Sequence, residues 1–475
     1  MRTGRGRAWA SIVRRQPVVP WYAGTRVLLL LLALNVLPYF NRGAVTGDVT
    51  LYHQWITQSF DHGRFPLDSQ KWQYPPGAAA PLLLPHIFPG SYYVLFFLMC
   101  LVADIAVFWM LLRTAKRNDA VNPSKAGPWL WTLGIAAIGP MAYGRYDLVV
   151  TASAVAALTL TLRSKRSTAV ARGVLIGVGA FLKLWPGFFL FGAPKRRNGR
   201  LLFGVAAATA AVPTLLLELF FPGVLSFVTN QKSRGIQIES VFATPFVAGK
   251  WFGFHRPIAN TEYGAYEFTG SGTSLAGKAA LLGTVIGFAI LLLIRRRAAV
   301  RGGFPFPAML ADVGFTAVLV SVATSRVLSP QYLVWLLGVA AVCLTRRETL
   351  MRTPAWLVLG ATSVTQLIFP LFYHSLRFGQ VYPGLILISR NGTLVIAMVL
   401  AVRALWRATG PDSVLLPSGV LLGQDGRDGV RLVQDVGTPL DGELGGGGAE
   451  DGPEAVVDGV RGPRRGGADR LVERD

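Results

Sequence analysis

Apolar runs long enough to cross a bilayer recur along this chain, and one soluble core could not bury them all. A helical crossing of the hydrocarbon region takes about 20 apolar residues. Runs of this kind, with their flanks, lie at 27–40, 92–112, 201–221, 275–294 and 385–401. Their residues do not alternate apolar and polar as barrel strands do, so helices are indicated. Composition agrees. Hydrophobic residues make up 52% of the 475 and charged residues only 15%, against about 25% charged in a soluble domain.

The net charge of +22 invites a nucleic-acid partner. The placement of the charge excludes one. Arg and Lys sit in short clusters between apolar runs, the pattern left by retention of basic loops in the cytoplasm. Cys100 and Cys343 both lie inside apolar segments and frame neither a disulfide scaffold nor a zinc site. The basic N-terminus leads into Leu28-Leu29-Leu30-Leu31-Leu32 without a small-residue cleavage signal. The first apolar run is therefore expected to be a retained helix.

The basic clusters order the chain. Arg2, Arg5, Arg7, Arg14 and Arg15 put residues 1–20 in the cytoplasm. Full crossings are expected at 22–40, 91–112, 128–142, 148–162, 201–221, 275–294, 305–323, 330–345, 354–372 and 383–403. Long outer loops fall at 41–90 and 222–274. Between Arg172 and Lys195 both flanks look cytoplasmic, and Lys183-Leu184-Trp185-Pro186-Gly187 interrupts the apolar run. Proline removes a backbone donor, so this stretch is expected as two half-helices with Lys183 near the outer apex. The expected fold is an all-α polytopic membrane protein of about ten crossings plus a broken half-helix pair. A transmembrane domain over 21–407 is followed at 408–475 by Gly-, Asp-, Glu- and Arg-rich material that cannot bury an apolar core. That tail is expected to be disordered, cytoplasmic and without a catalytic role.

Under this topology the polar residues with chemical potential gather on the outer side. Asp48 stands a few residues beyond the first helix, where a carboxylate serves either as a general base toward a lipid-linked substrate or as a helix N-cap. Asp61 and Asp68 are weaker candidates. Trp72-Gln73-Tyr74-Pro75-Pro76-Gly77 reads as a loop-to-helix corner. Arg145 and Asp147 share a turn and are placed to pair with each other. Lys183, an ammonium at a helix break within an apolar stretch, needs an anion, water or a route to the interface. Arg234-Gly235-Ile236-Gln237-Ile238-Glu239-Ser240 reads as an interfacial helix start or a substrate edge. Pro330 belongs at a helix start, and the N-terminus beside Arg326 suits phosphate. His374 lies in the last outer loop. No HExxH, CxxC, DxD or Walker loop is present, and neither metal nor other cofactor is expected.

The order of these features resembles glycosyltransferase family 87. They are Asp48 with Tyr52, Tyr74-Pro75-Pro76, the turn at 144–147, the stretch 173–186 with Lys183 and Pro186, 234–240, and 325–335. Members are polyprenyl-phosphate-mannose-dependent alpha-1,2-mannosyltransferases of the GT-C superfamily, and the resemblance spans roughly 20–405. It implies metal-independent, inverting transfer of a sugar, mannose in the family, from a polyprenyl-phosphate donor to a glycolipid or glycan. It also implies a multi-pass cell-membrane enzyme with cytoplasmic termini and an extracytoplasmic active site. Carried onto this chain, Asp48 is the base and Lys183 and Arg326 hold the phosphate. Tyr52, His53, Tyr74, Glu239, Gln331 and His374 are sugar or acceptor contacts. Relatives carry a Gly-Gln-x-Asn-like turn where this chain has Gly144-Arg145-Tyr146-Asp147, and Arg145 is expected as a further phosphate contact. The competing class is a secondary transporter or lipid-linked-sugar flippase, since broken helices occur there too. Such proteins usually repeat the break in a second half, and this sequence shows no partner for the one at Lys183.

Overall fold

The computed structural model describes residues 17–64, 72–116, 123–194, 197–221, 223–232, 235–254, 257–260, 265–300 and 309–410, with short strands at 414–415 and 421–422. Asp68, Arg234, the N-terminal basic cluster and nearly all of the expected tail lie outside the described residues.

The protein is mostly helical. The principal helices are α1 (Val18–Ala33), α2 (Arg42–Gln58), α3 (Tyr92–Thr114), α4 (Ala126–Ile138), α5 (Asp147–Thr159), α6 (Lys165–Leu182), α7 (Arg197–Phe220), α8 (Thr273–Val300), α9 (Met309–Ala323), α10 (Tyr332–Cys343), α11 (Arg352–Gln366) and α12 (Val381–Ala408). Among the described residues five spans are long and apolar enough to cross a membrane: α3, α7, α8, α12, and Arg352–Leu371, which begins with α11. The other apolar helices are shorter. α10, with 12 residues, is only about 18 Å long at 1.5 Å per residue, well under the ~30 Å of hydrocarbon. All but one of its residues are buried, as are all but two of the 15 in α9. These short helices are solvated by protein. The long ones lie outside them, and α7 presents Phe203, Val212, Leu215, Leu216 and Leu219 outward.

Local chemistry moves several boundaries away from the sequence reading. The first helix was expected over 22–40 but ends at Ala33. Asn35 follows it in the left-handed region (φ 60°), where Asn is tolerated, and Pro38 is close behind. The segment 41–90, expected as a long outer loop, is not a bare loop, because α2 occupies its first part. Asn41 caps α2, its Oδ1 accepting from Ala44 N at 3.1 Å. Asp48 therefore lies inside the helix, and its N-cap reading falls. The break after α6 sits at Lys183, whose backbone is extended (φ −162°, ψ 126°). A 3₁₀ segment, Trp185–Gly192, then forms the second arm. α6 and α7 approach closely because Gly173 and Gly177 face Leu202 O and Ala206 O, where a Cβ would intrude. Small residues at such spacing are how membrane helices pack.

A small antiparallel sheet lies between α7 and α8. Its order is β1 (Ile236–Gln237), β3 (Tyr266–Phe268), β2 (Ile258–Asn260), with Gln237 opposite Glu267 and Ala259 opposite Glu267.

One polar network is sunk into the bundle. Arg26 on α1 donates to both carboxylate oxygens of Asp104 on α3, at 2.8 and 3.1 Å. Asp104 also accepts from Trp131 Nε1 at 2.7 Å and from Tyr143 OH at 2.8 Å. Asp104 is fully buried, so the network joins α1, α3, α4 and the turn after α4. Removing one member of a buried pair leaves an uncompensated charge. We expect Asp104→Ala to destabilise the fold by about 3–5 kcal/mol, and Arg26→Met combined with Asp104→Leu to recover part of that loss. Thermal unfolding in detergent checks the order of the three proteins.

Candidate active site

A cavity of about 430 Å³ opens where α2, the turn after α4, the break after α6, β1 and the segments 321–335 and 369–373 converge. Its wall includes Asp48, Tyr74, Arg145, Lys183, Glu239 and Gln331.

The turn Pro140–Gly144 is 3₁₀ and ends with Arg145 in extended conformation. Gly144 sits against Val45 O of α2, where no Cβ would fit. This close approach brings the Arg145 guanidinium onto the Asp48 carboxylate, and the two form an ion pair. Arg145 is buried, while the Asp48 side chain is 32% exposed, toward the cavity. Burial pushes the Asp48 carboxyl above the usual carboxylate range, against the opposing pull of Arg145 and Lys183. A carboxyl held above its ordinary range is a better base.

Two residues on, the chain starts α5 with Asp147, which does not pair with Arg145 as the turn suggested. Asp147 accepts from Lys183 Nζ at 2.7 Å and from Trp335 Nε1. The Lys183 ammonium also lies 5.0–5.9 Å from the ring centroids of Trp335, Tyr146, Tyr74 and Tyr332, within cation–π range. Trp335 in turn stacks between Trp185 and Tyr332, at 5.6 and 4.1 Å. The helix break thus delivers Lys183 into a box with one carboxylate and four aromatic faces. Asp147 was not among the predicted site residues. As the first residue of a helix it looks like an ordinary N-terminal acid.

Glu239 lies in the segment just after β1. It is 1% exposed and 3.5 Å from Arg390 of α12. Burial raises its carboxyl to about 7, with Arg390 opposing. The segment is fastened on two sides. Gln237 N donates to Arg326 O at 3.0 Å, and Gln237 Oε1 accepts from Leu328 N at 2.8 Å. Arg390 Nη2 and Asn391 Nδ2 donate to Glu239 O at 3.0 and 3.4 Å.

The remaining predicted residues fall outside this wall. Tyr52 is fully buried behind Tyr74, the two hydroxyls 3.5 Å apart. His53, the next residue on α2, stacks on Tyr92 at 4.7 Å. His374 lies against Phe378 at 4.6 Å. Arg326 lines a neighbouring cavity of about 250 Å³ that shares Ser321, Ser325 and Tyr332 with the first. Among the described residues no group of His, Cys, Asp or Glu could hold a metal ion.

The raised Glu239 carboxyl has a sign for stability. Between pH 4.5 and 7 the folded state keeps a proton that the unfolded state has released. Stability is therefore lost as pH rises through this window. Glu239→Gln removes that component, so its Tm should fall less than that of wild type between pH 4.5 and 7. Parallel melting curves across the window check it.

No curated protein and no solved structure was found to match the chain. The family model of glycosyltransferase family 87 matches residues 72–330, more than half of the sequence. The match takes in Tyr74, Arg145, Lys183 and Glu239, while Asp48 precedes it and reaches the cavity on α2. With apolar helices able to cross a bilayer, this chain belongs to glycosyltransferase family 87 and is a membrane glycosyltransferase.

Proposed function

We propose that the enzyme transfers a sugar, mannose in the first instance, from a β-linked polyprenyl-phosphate donor to a hydroxyl of a glycolipid or glycan, with inversion and on the extracytoplasmic side of the cell membrane. The observation that carries this is one cavity presenting a partly exposed carboxylate, Asp48, beside two cations, buried Arg145 and half-buried Lys183. Acid, sugar phosphate and acceptor need those groups together. The positive-inside charge pattern supports cytoplasmic termini and an outward-facing site.

In this mechanism the acceptor hydroxyl gives its proton to Asp48 while its oxygen attacks the anomeric carbon. The bond from that carbon to the phosphate oxygen breaks, and the electron pair leaves with the lipid phosphate. Lys183 is the principal cation for that phosphate. Its aromatic box lets it turn between Asp147 and an incoming anion at little solvation cost. Arg145 follows from the ion pair. Once Asp48 takes the proton it loses its negative charge, and the Arg145 guanidinium is freed to stabilise charge developing on the leaving group. Base and phosphate clamp are coupled through one salt bridge. Arg326, one cavity over, is a second-line phosphate contact, and Tyr74 and Gln331 are sugar or acceptor contacts. Membership of a glycosyltransferase family favours the enzyme over a transporter.

Purified protein, radiolabelled polyprenyl-phosphate mannose and a membrane-lipid extract test this reading. Wild type should transfer label. Asp48→Asn should lower the rate by about 10²–10⁴-fold, the usual worth of a positioned base. Lys183→Gln should lower kcat by about 10²–10³-fold, as for loss of one electrostatic stabiliser. Unchanged transfer by Asp48→Asn would remove it as the base.

A further inference from the structure

We propose that Glu239, backed by Arg390, is the residue that reads the hydroxyl groups of the sugar being transferred and so selects the donor. This rests on the polyprenyl-phosphate donor of the proposed function.

Glu239 lines the cavity and yet is almost wholly buried. Among the described residues its Oε2 has no hydrogen-bond partner, and the nearest cation, Arg390 Nη2, stands at 3.5 Å. Arg390 is itself fully buried, and its Nη2 is committed to Glu239 O. A buried acceptor left in this state is costly, and a carboxylate makes its strongest hydrogen bonds to a donor brought to it. The surrounding wall narrows the kind of donor. Phe227, Val228, Ala265, Phe369 and Tyr373 also line the cavity, so most of the wall is apolar. Once ionised, above about pH 7, Glu239 repels a second phosphate or carboxylate, whereas a neutral polyol offers the O–H groups that Oε2 lacks. Hydroxyl-bearing carbons of a sugar ring fit both conditions.

The transferred ring is favoured over the acceptor by connectivity. Gln237 ties the Glu239 segment to Leu328, and Tyr332, just beyond on the same stretch, is one wall of the Lys183 box. The carboxylate that meets the ring and the ammonium that meets its phosphate are thus held by one fastened unit. Asp48, the acceptor's base, is on α2, outside that unit. Preorganisation of this kind is what discrimination between hydroxyl epimers requires, because an analogue lacking the matched O–H leaves a buried acceptor unpaired.

The experiment compares binding of bare polyprenyl phosphate with that of polyprenyl-phosphate mannose, its glucose epimer and a pentose analogue to full-length protein in lipid nanodiscs. Wild type should bind one sugar-bearing lipid about tenfold or more tightly than the bare lipid. Glu239→Gln, which keeps shape but not charge, should bind bare lipid like wild type and lose that increment, and Glu239→Asp should regain part of it. An increment retained in Glu239→Gln overturns the assignment, as does a wild type that binds sugar-bearing and bare lipids alike. Wild type that binds none of these lipids removes the polyprenyl donor itself and the assignment with it, a result distinguishable from the other two.

Discussion

Two ion pairs, Asp48 with Arg145 and Asp147 with Lys183, are the interactions on which the rest of the site depends. Both cations and Asp147 are largely withdrawn from water. Taking charges out of water costs several kcal/mol per ion unless each meets a partner in good geometry. Four elements must meet for that to happen: α2, the turn after α4, the start of α5 and the break after α6. The signs alternate along this set, and the net charge of the four groups is zero. The arrangement is neutral at rest, yet a single proton arriving at Asp48 leaves the cations beside the cavity unbalanced.

The surrounding structure holds those elements in place. Tyr143, two residues before Arg145, donates to Asp104 within the Arg26 network, so the turn is anchored to α1 and α3 from below. Trp335 supports Lys183 from α10, a helix whose own residues are nearly all buried. The segment carrying Glu239 is tied to α12 by Arg390 and Asn391 and to 325–328 by Gln237. Short helices solvated by protein therefore support the cavity from within, and long apolar helices lie around them. A cavity carrying charged groups within such a bundle is tolerated because protein, rather than lipid, covers the irregular backbone.

Much of this was legible in the residues. Lys183 stands out because an ammonium beside Trp185-Pro186 in an apolar run must have a purpose, and Asp48 because it follows the first apolar run closely. The regions of the apolar helices among the described residues follow from hydropathy, although several are shorter than a crossing needs. Other residues were misread for identifiable reasons. Arg145 and Asp147 are near neighbours in sequence, but extended backbone at one and a helix start at the other send them to different partners. Asp48 looked like a cap because Asn41, the residue that caps α2, lies well before it in a segment of weak periodicity. His53 and His374 looked available, and both rest on aromatic rings. Arg390 was hidden inside an apolar run. Its role exists only through Glu239, some 150 positions away.

By itself the sequence determined that this is a helical membrane protein, where its apolar segments lie, where the chain must break, and which residues are too expensive to bury without a partner. These are properties of one segment against its solvent, and a bilayer judges each segment by local composition and length. Tertiary structure alone decided which carboxylate neutralises which cation, that Arg326 opens onto a second cavity, and that Glu239 is backed by Arg390. Those outcomes turn on contacts of a few ångströms between elements far apart in the chain, and electrostatic energies in a medium of low polarity change steeply over such distances.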